Sequence, residues 1–567
     1  MRVSRGFILC LFLLLVAALL LFGWTVHERA PWFGMTPIGI SGWNTAGTAL
    51  VASHWYREGA LDLVFGMYWT PASIETPQEA RDLYVSYPPG AVLPVYLISL
   101  FAGSRPSPEM VMGWNLFVHF LTAILLGAAL YVLCARYRLP AAATAGLSAA
   151  PCLVYLFAPS PYYEHLMGYF ADQAVMAPFA AYLLVEVFRW GRAEDEVSWR
   201  VETLQGAIAL YGCLTDWLFY FLILCTFLAR LIRGRLGNRP ITIIRRTALM
   251  AAPAALALAL FALQLWRLGA FDRLLHRAAF RSGLAQSNSI LAPPGDGGIL
   301  HPLSSFFWQR HIPTGFGEAG KILILIASGA LLLALLGAAA AWTRRRPLAP
   351  STVDAVSFLW LLAAPSWLYL LAVPGHNNMI LHFFTALKFA PLLAAGSFGA
   401  LPLAAAAALG RQRASLVPAG LAFLTLAASI LYCWSVAPQR ARLFEAIDTS
   451  DDLQHLGRFI GAQASDNDVL FSPTLVVEGK PPQRMYHAMK EVHPAQTWAD
   501  MTRILKKITG DYRVGLLLER ERTPQELPNP LQQFAQAATR IVASGDFKIY
   551  WMPKAAFLDL LPTQNIN

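Results

Sequence analysis

The sequence predicts an all-α polytopic membrane bundle of about eleven transmembrane helices, followed by a small C-terminal α/β domain outside the membrane. Of its 567 residues, 56% are hydrophobic and 14% are charged, and the mean hydropathy is +0.47. Soluble domains carry roughly a quarter charged residues. This composition therefore indicates an integral membrane protein, whereas the tail after the last apolar run has an ordinary composition.

Nine apolar runs are long enough to cross a bilayer. They lie at roughly 7–24, 111–134, 139–158, 168–190, 243–266, 321–342, 355–373, 383–409 and 415–436. No small-residue cleavage site follows the first run, so we interpret it as a transmembrane helix and not as a signal peptide. The stretch at roughly 88–103 is short and proline-rich, and we expect it to lie along the membrane interface.

Arginine-rich connectors predict the orientation of the helices. Segments such as "ARYRLP", "RWGRAEDEVSWR" and "WTRRRP" join the apolar runs, and the positive-inside rule places them in the cytoplasm. Two of these connectors, ending near Arg200 and starting near Arg230, flank a further apolar region, so an even number of crossings must separate them. Two short helices, about 204–214 and 216–231, satisfy this condition and turn at "LTDW". The N-terminus is then cytoplasmic and the C-terminus extracytoplasmic.

Asp216 lies in that turn and allows two interpretations. Its carboxylate can cap the N-terminus of the returning helix, which is a structural role. Alternatively it contributes to a functional site, because ionisable residues within membrane segments commonly mark such sites. The residues by themselves leave both interpretations open.

The predicted domain division follows the last apolar run. Residues 1–436 form a transmembrane domain that includes a long first outer loop, 25–110, and residues 437–567 form the α/β domain, with strand-like "NDVLFSP" and "FKIYWMP". All six cysteines fall in apolar runs, which is typical of packing residues and not of disulfides. The net charge of +10 comes from connector arginines, so we expect no nucleic-acid partner. We see no metal-spaced His or Cys cluster and expect no cofactor, with a divalent metal left open.

Two acidic residues on the predicted outer side are candidate general bases. Glu164 and Asp172 lie in "SPYYEHLMGYFADQAVMAPF", where Asp172 stands near the start of an apolar helix. A carboxylate packed under loops at the membrane boundary can have its pKa raised and accept a proton. The alternative is an acid that complements the positive end of the helix dipole.

Several basic residues on the same predicted side are candidate phosphate-binding groups. Arg277 and Arg281 are four residues apart in "GAFDRLLHRAAFRSG" and so share one face of a helix. Guanidinium groups bind phosphate with paired hydrogen bonds. Lys388 lies inside an apolar run, and His382 precedes it by six residues. The alternative for these residues is an interfacial location, with the long basic side chains extending to lipid headgroups.

The layout of the chain resembles the GT-C membrane glycosyltransferases. The residues that carry this resemblance are the long first loop with its helix ending in "HWYREG", the following "SYPPGAVLPVYLISLF", and "GYFADQAVMAPF". More narrowly, these segments are similar to the bacterial group related to protein mannosyltransferases and to the transferase that adds aminoarabinose to lipid A. The resemblance covers most of the membrane region, and its motifs are short.

The resemblance implies a glycosyltransferase of the bacterial cytoplasmic membrane. It would move a sugar from a polyprenyl-phosphate donor to a lipid, glycan or protein acceptor on the outer face. Asp172 matches the group's aspartate at the start of helix four, and Tyr87, Asn44 and Asp216 become candidate substrate-binding residues. One departure is that the first-loop helix begins with "ISGWNTAG", where the group usually has an acid. The alternatives are a transporter or flippase of lipid-linked substrates and a non-catalytic scaffold.

Overall fold

The computed structural model describes residues 5–35, 40–74, 78, 81–190, 197–236, 242–284, 303, 305–344, 350–409, 416–447, 452–473, 482–506, 508–519 and 524–561. The chain forms two compact units. Unit 1 contains Met1–Met35, Val85–Ile98 and Ser107–Ile447, and unit 2 contains Thr36–Tyr84, Ser99–Pro106 and Asp448–Asn567. The unit with the C-terminal residues thus also includes two segments of the first loop, which the sequence analysis assigned to the transmembrane domain.

Helices dominate the described part of the chain. In order, they are α1 (Arg5–Arg29), α2 (Ile40–Glu58), α3 (Leu93–Ala102), α4 (Pro108–Arg136), α5 (Ala141–Phe157), α6 (Pro159–Met167), α7 (Ala171–Ala174), α8 (Met176–Arg189), α9 (Trp199–Cys213), α10 (Trp217–Leu236), α11 (Thr242–Arg267), α12 (Phe271–Arg281), α13 (Ile312–Thr343), α14 (Pro350–Ala372), α15 (Pro374–Asn377), α16 (Leu401–Leu409), α17 (Leu416–Ser435), α18 (Ala437–Glu445), α19 (Asp452–Gln463), α20 (Pro482–Ala488), α21 (Trp498–Leu505), α22 (Asn529–Ala537) and α23 (Lys554–Leu560). Shorter 3-10 or π segments include Pro89–Ala91, Phe307–His311, Phe383–Phe389 and Leu392–Ala400.

Unit 1 is a bundle of apolar helices. Within the described ranges, eight helices are long and apolar enough to cross a membrane, or nine if the bent pair α5 and α6 forms one span. These correspond to the nine predicted apolar runs. Large apolar side chains such as Leu333 (72% exposed) and Trp434 (80%) cover the outside of the bundle, as expected for a surface that faces lipid tails. The prediction of a polytopic helical membrane protein is confirmed.

The predicted pair of short helices is also present. α9 ends at Cys213 and α10 begins at Trp217, so the chain turns at Leu214–Asp216. The stretch after Pro88 forms the 3-10 segment Pro89–Ala91 and then α3, which at ten residues is too short to cross a bilayer. Among the described residues, five of the six cysteines are buried and free of disulfides.

Unit 2 contains a five-stranded sheet. Its strands are β3 (Val469–Ser472), β4 (Val492–Pro494), β5 (Arg513–Glu519), β6 (Arg540–Ser544) and β7 (Phe547–Pro553), in the order β4-β3-β5-β7-β6. The first three strands are parallel, and β7 is antiparallel to β5 and β6. Alternate residues of β5 contribute to two separate apolar cores, so helices cover both faces of the sheet. The α/β character predicted for the tail is confirmed.

The first-loop part of unit 2 is built on α2 and a short hairpin, β1 (Met67–Tyr68) and β2 (Leu83–Tyr84). α2 is buried at every position of 41–55 except Trp43. Its hydroxyl groups tolerate burial because they bond within the helix, as Ser53 does to the Ala49 carbonyl (2.7 Å). At its end, Glu58 accepts two hydrogen bonds from Arg81 (2.7 and 3.0 Å) and lies 3.2 Å from His54 Nδ1.

Candidate active site

A buried lysine and two buried aspartates form the centre of the candidate site in unit 1. The Nζ atom of Lys388 lies 2.8 Å from Oδ1 of Asp172 and 2.5 Å from Oδ2 of Asp216, and each side chain is 1% exposed or less. A carboxylate within a membrane segment is unfavourable without a partner, and Lys388 supplies that partner to both. We call these three residues, together with Tyr87 and Tyr369, the lysine cluster.

Two helix starts bring the aspartates together. Asp172 lies in the first turn of α7, which a break at the extended residue Gly168 separates from α6. Asp216 precedes α10, and its Oδ1 accepts a hydrogen bond from the Leu218 backbone N–H (2.7 Å). Asp216 therefore caps the returning helix with one oxygen, as the structural interpretation predicted, and pairs with Lys388 through the other.

Lys388 is held from the opposite side of the bundle. It lies in the 3-10 segment Phe383–Phe389, and the Ser366 hydroxyl of α14 donates to its backbone carbonyl (2.7 Å). Because the ammonium group is buried and paired with two carboxylates, the side chain does not extend to lipid headgroups. The backbone bond and the ion pairs together fix the position of the charge.

Aromatic side chains line the ammonium group. Lys388 Nζ lies 4.1 Å from the ring centroid of Tyr369 and 5.8 Å from that of Tyr87. The two tyrosine hydroxyls are 2.8 Å apart, and Tyr87 Oη is 3.3 Å from His376 Nε2. Burial raises the pKa of Tyr87 well above its usual value and lowers the pKa of His376 well below 6.5. Both groups are consequently neutral near pH 7.

Arg281 adds a second cation beside the same tyrosine. Its Cζ atom lies 4.4 Å from the ring centroid of Tyr87, and its Nη1 donates to the carbonyl of Ser86 (3.4 Å). The same carbonyl accepts a hydrogen bond from Trp217 Nε1 (2.8 Å). Arg281 and Lys388 thus both lie against Tyr87, although they come from α12 and from a segment more than a hundred residues later.

Two glycines allow the close approach of these segments. Gly90 donates its N–H to the Leu214 carbonyl (2.7 Å), and a Cβ atom at Gly90 would overlap that oxygen. This contact holds the Pro88-Pro89 turn against the turn that carries Asp216. Similarly, a Cβ atom at Gly375 would overlap the Phe280 carbonyl, so glycine lets α15 pack on the end of α12 next to Arg281.

The other predicted site residues lie in three different surroundings. Arg277, on the same helix as Arg281, is exposed, so the helix presents the predicted arginine pair to two environments. His382 packs edge-to-face against His376 with ring centroids 4.4 Å apart, and burial lowers its pKa to about 4. Asn44 is buried in α2, which belongs to unit 2.

Glu164 belongs to a hydrogen-bond network that includes Gln173, the residue directly after Asp172. It is fully buried in α6, and its Oε2 accepts a hydrogen bond from Gln173 Nε2 (3.0 Å). Gln173 Oε1 in turn accepts from the Phe170 backbone N–H (3.0 Å). This network joins the end of α6 to the start of α7, across the break at Gly168.

The side chains of the candidate site do not resemble a set of metal ligands. Asp172 and Asp216 already share the Lys388 ammonium, which occupies the position where a cation would compensate their charges. Within the described residues, no group of three or more His, Cys, Asp or Glu side chains is arranged to hold a metal ion.

Two residues of the site have no clear signal in the sequence. Tyr369 lies in an apolar helix in which an aromatic residue is unremarkable, and His376 lies in the polar turn "VPGHNN" between two apolar runs. The polar turn was the only available signal for His376. Their relation to Tyr87 depends on contacts between residues nearly three hundred positions apart.

No protein-family model and no curated protein sequence matches this chain. Among solved structures, the apo oligosaccharyltransferase of Archaeoglobus fulgidus is similar in fold, with a TM-score of 0.50 and 11% identity over 90% of this chain and 70% of that one. Apo ArnT from Cupriavidus metallidurans matches with a TM-score of 0.45 and 13% identity, over 98% of this chain and 99% of that one. ArnT bound to undecaprenyl phosphate gives 0.46 and 14%, over 95% and 97%.

The oligosaccharyltransferase has the GT-C fold. The likeness to the oligosaccharyltransferase confirms the predicted GT-C-like fold of a multi-pass membrane protein. At this level of identity the likeness establishes the fold alone.

Proposed function

We propose that this chain is a membrane glycosyltransferase that uses a polyprenyl-phosphate-linked sugar as donor. The observation that carries the proposal is a buried group of two cations and two carboxylates from four separate segments of the fold, in which Lys388 pairs with both carboxylates and both cations lie against Tyr87. Maintaining such a buried group of charges is unfavourable unless it is used or fully compensated, and perturbed charge clusters in membrane proteins commonly mark functional sites.

In the proposed reaction, the cations bind the phosphate of the donor. Arg281 offers a planar set of N–H donors that matches phosphate oxygens, and Lys388 adds a point charge. As the bond between the anomeric carbon and the phosphate oxygen breaks, its electron pair stays on the polyprenyl phosphate. Fixed positive charges next to the leaving oxygen stabilise this developing charge, which is the main electrostatic contribution to the rate.

The acceptor is activated by a carboxylate. The proton of the acceptor hydroxyl passes to Asp172, and the hydroxyl oxygen forms the new bond to the anomeric carbon from the opposite face, with inversion. When the donor phosphate pairs with Lys388, the Asp172 carboxylate loses part of its compensation and becomes a better base. Glu164 is the second candidate base, through its network with Gln173 at the start of α7.

The proposal also assigns an orientation in the membrane. The arginine-rich connectors lie on the cytoplasmic side, as the positive-inside rule requires, and the lysine cluster lies at the opposite ends of α8 and α10. The site then faces the outer leaflet of a bacterial cytoplasmic membrane, with the N-terminus inside and the C-terminus outside. A transporter is less favoured. Between Gln173 and Glu186 the chain carries only apolar residues and one tyrosine, so no polar path runs along α8.

The test is transfer by the purified chain in lipid nanodiscs, measured as release of polyprenyl phosphate from a panel of polyprenyl-phosphate sugars. Charge-assisted hydrogen bonds contribute about 1.5–3 kcal/mol, so we expect Arg281→Gln to reduce kcat/KM at least about tenfold. Arg277→Gln, which removes the same charge from an exposed position of the same helix, is the matched control and should change it less than about twofold. Equal effects of the two variants would contradict the assignment of Arg281.

A second assay separates the rival functions. In proteoliposomes, a transporter or flippase moves the intact lipid-linked sugar across the membrane without releasing polyprenyl phosphate. Accumulation without release would replace the transferase proposal, and the absence of both would favour a non-catalytic scaffold.

A further inference from the structure

Asn377 carries a buried carboxamide without a partner. Its side chain is 1% exposed, and neither Oδ1 nor Nδ2 forms a hydrogen bond with any residue that the structure describes. Burying an amide without hydrogen bonds is unfavourable. Since native proteins satisfy nearly all buried polar atoms, a buried carboxamide with no partner among the described residues points to a ligand as its partner.

The neighbouring asparagine shows what a structural role looks like in the same turn. Asn378 Oδ1 accepts a hydrogen bond from the Phe307 backbone N–H (2.9 Å), and so holds the turn after α15 against the start of the π segment Phe307–His311. The fold therefore explains why Asn378 is polar and buried. No comparable contact explains Asn377.

The position of Asn377 connects it to the proposed phosphate-binding groups. It is the last residue of the four-residue helix α15, directly after His376, which contacts Tyr87 Oη. One residue earlier, Gly375 packs against the Phe280 carbonyl next to Arg281. All three consecutive residues of this turn thus lie within a few ångströms of one another along the chain, and two of them touch the site.

We propose that Asn377 binds a hydroxyl group of the donor sugar, an inference that rests on the proposed function. A carboxamide offers one acceptor oxygen and two N–H donors, and a sugar hydroxyl both donates and accepts. A hydroxyl-bearing ligand therefore satisfies both ends of the group. Phosphate oxygens near neutral pH mainly accept, and would leave Oδ1 without a donor. The ligand chemistry is consequently that of the sugar and not that of the lipid phosphate.

The proposal predicts opposite effects on stability and on binding. Asn377→Leu removes an unsatisfied polar group while keeping a similar volume, which should stabilise the ligand-free protein. The same change removes the hydrogen bonds to the sugar, so recognition should weaken. Residues selected for function commonly reduce stability in this way.

The experiment uses the full chain in nanodiscs and two kinds of probe. One probe is undecaprenyl phosphate alone, and the other is a panel of undecaprenyl phosphates that carry a neutral hexose or pentose. In the wild type, we expect at least one sugar-bearing lipid to bind about tenfold more tightly than the bare lipid phosphate. Asn377→Leu should remove this preference, leave the affinity for undecaprenyl phosphate unchanged, and raise the melting temperature of the ligand-free protein.

The matched control is Asn378→Leu, which leaves the Phe307 N–H unpaired and should lower the melting temperature. The inference is overturned if no sugar-bearing lipid is preferred by the wild type, if Asn377→Leu keeps the preference, or if it lowers the melting temperature. If the wild type fails to bind undecaprenyl phosphate at all, the proposed function itself is wrong. If bare lipid phosphate binds and depends on Arg281 while the sugar preference ignores Asn377, only the inference on Asn377 is wrong.

Discussion

Two buried charge clusters lie at opposite ends of α10, and they are built differently. The lysine cluster lies at the starts of α7 and α10. At the other ends of α8 and α10, Glu186 and Arg230 form a second group with Gln205, Arg189 and Trp190, which we call the arginine cluster. Glu186 accepts hydrogen bonds from Arg230 through both carboxylate oxygens, from Gln205 Nε2 (2.9 Å) and from Trp190 Nε1 (3.0 Å).

The two clusters differ in how many acceptor positions of their carboxylate oxygens are filled by hydrogen-bond donors. A carboxylate has about four acceptor positions, and Glu186 fills them with four donors. In the lysine cluster, two carboxylates share one ammonium group, and its other neighbours are the aromatic faces of Tyr87 and Tyr369. A saturated carboxylate has no position left for a ligand or a proton. The comparison therefore favours a structural role for the arginine cluster, and it supports the chemical role that we propose for the lysine cluster.

The largest effect is expected from breaking the arginine cluster. Arg230→Met leaves Glu186 buried without its cation, and uncompensated buried charges destabilise proteins by about 3–5 kcal/mol. The double variant Glu186→Leu/Arg230→Met should recover most of this loss, because it removes both charges. Thermal unfolding in nanodiscs measures both. If the double variant is as unstable as the single one, the pair is not the main contribution of these residues.

In the lysine cluster, Asp172→Asn is expected to abolish the chemistry while the protein still inserts. Loss of a general base reduces rates about a hundredfold or more, whereas the asparagine keeps the shape of the side chain. Release of polyprenyl phosphate per folded molecule is the measurement, and membrane insertion is the control. Undiminished transfer would exclude Asp172 from the mechanism and leave Glu164 as the candidate base.

The variant Asp216→Asn tests the helix-capping role of Asp216 separately from its negative charge. Asparagine can still accept the hydrogen bond from the Leu218 N–H, so the start of α10 should be preserved. The variant removes one negative charge next to Lys388, which should increase the affinity for undecaprenyl phosphate about threefold to tenfold, since like charges no longer oppose the phosphate. A binding titration checks this, and weaker binding would show that Asp216 helps to orient Lys388.

The smallest effect concerns the Glu58 pair in unit 2. Burial alone would raise the pKa of Glu58, but hydrogen bonds from His54 and Arg81 outweigh it and lower the pKa from 4.5 to about 2. The ionised form therefore stabilises the fold above pH 4.5, and this contribution is lost as the pH falls toward 2. The difference in melting temperature between wild type and Glu58→Gln should be constant above about pH 5 and narrow below it. A difference that does not change with pH would contradict the role of the charge.

Much of the fold was predictable because it follows from local chemistry. Apolar runs of the length of a bilayer identified the spans, and the arginine connectors required a helical pair around Asp216, which α9 and α10 provide. The strand-like segments "NDVLFSP" and "FKIYWMP" predicted a sheet in the tail, to which they contribute β3 and β7.

For the site, sequence reasoning identified individual residues but not their partners. Asp172, Asp216 and Lys388 were each conspicuous as charges among apolar neighbours, yet no spacing in the chain links Lys388 to a residue 172 positions away. The predicted arginine pair is the opposite case, in which the spacing in the chain suggested a pair whose members have different surroundings in the structure. Arg277 and Arg281 share a helical face by spacing, but only Arg281, at the end of the helix, is buried against Tyr87.

By itself, the sequence determined that this chain is a multi-pass helical membrane protein and where its long apolar helices lie, because partition of side chains between water and lipid depends on local composition. Only the tertiary structure decided that one ammonium group compensates two carboxylates, that a second cation lies against the same tyrosine, Tyr87, and that Asn377 has no hydrogen-bond partner among the described residues. Ion pairs and hydrogen bonds act over a few ångströms between segments that are distant in the chain, so their pairing emerges only once the helices have packed.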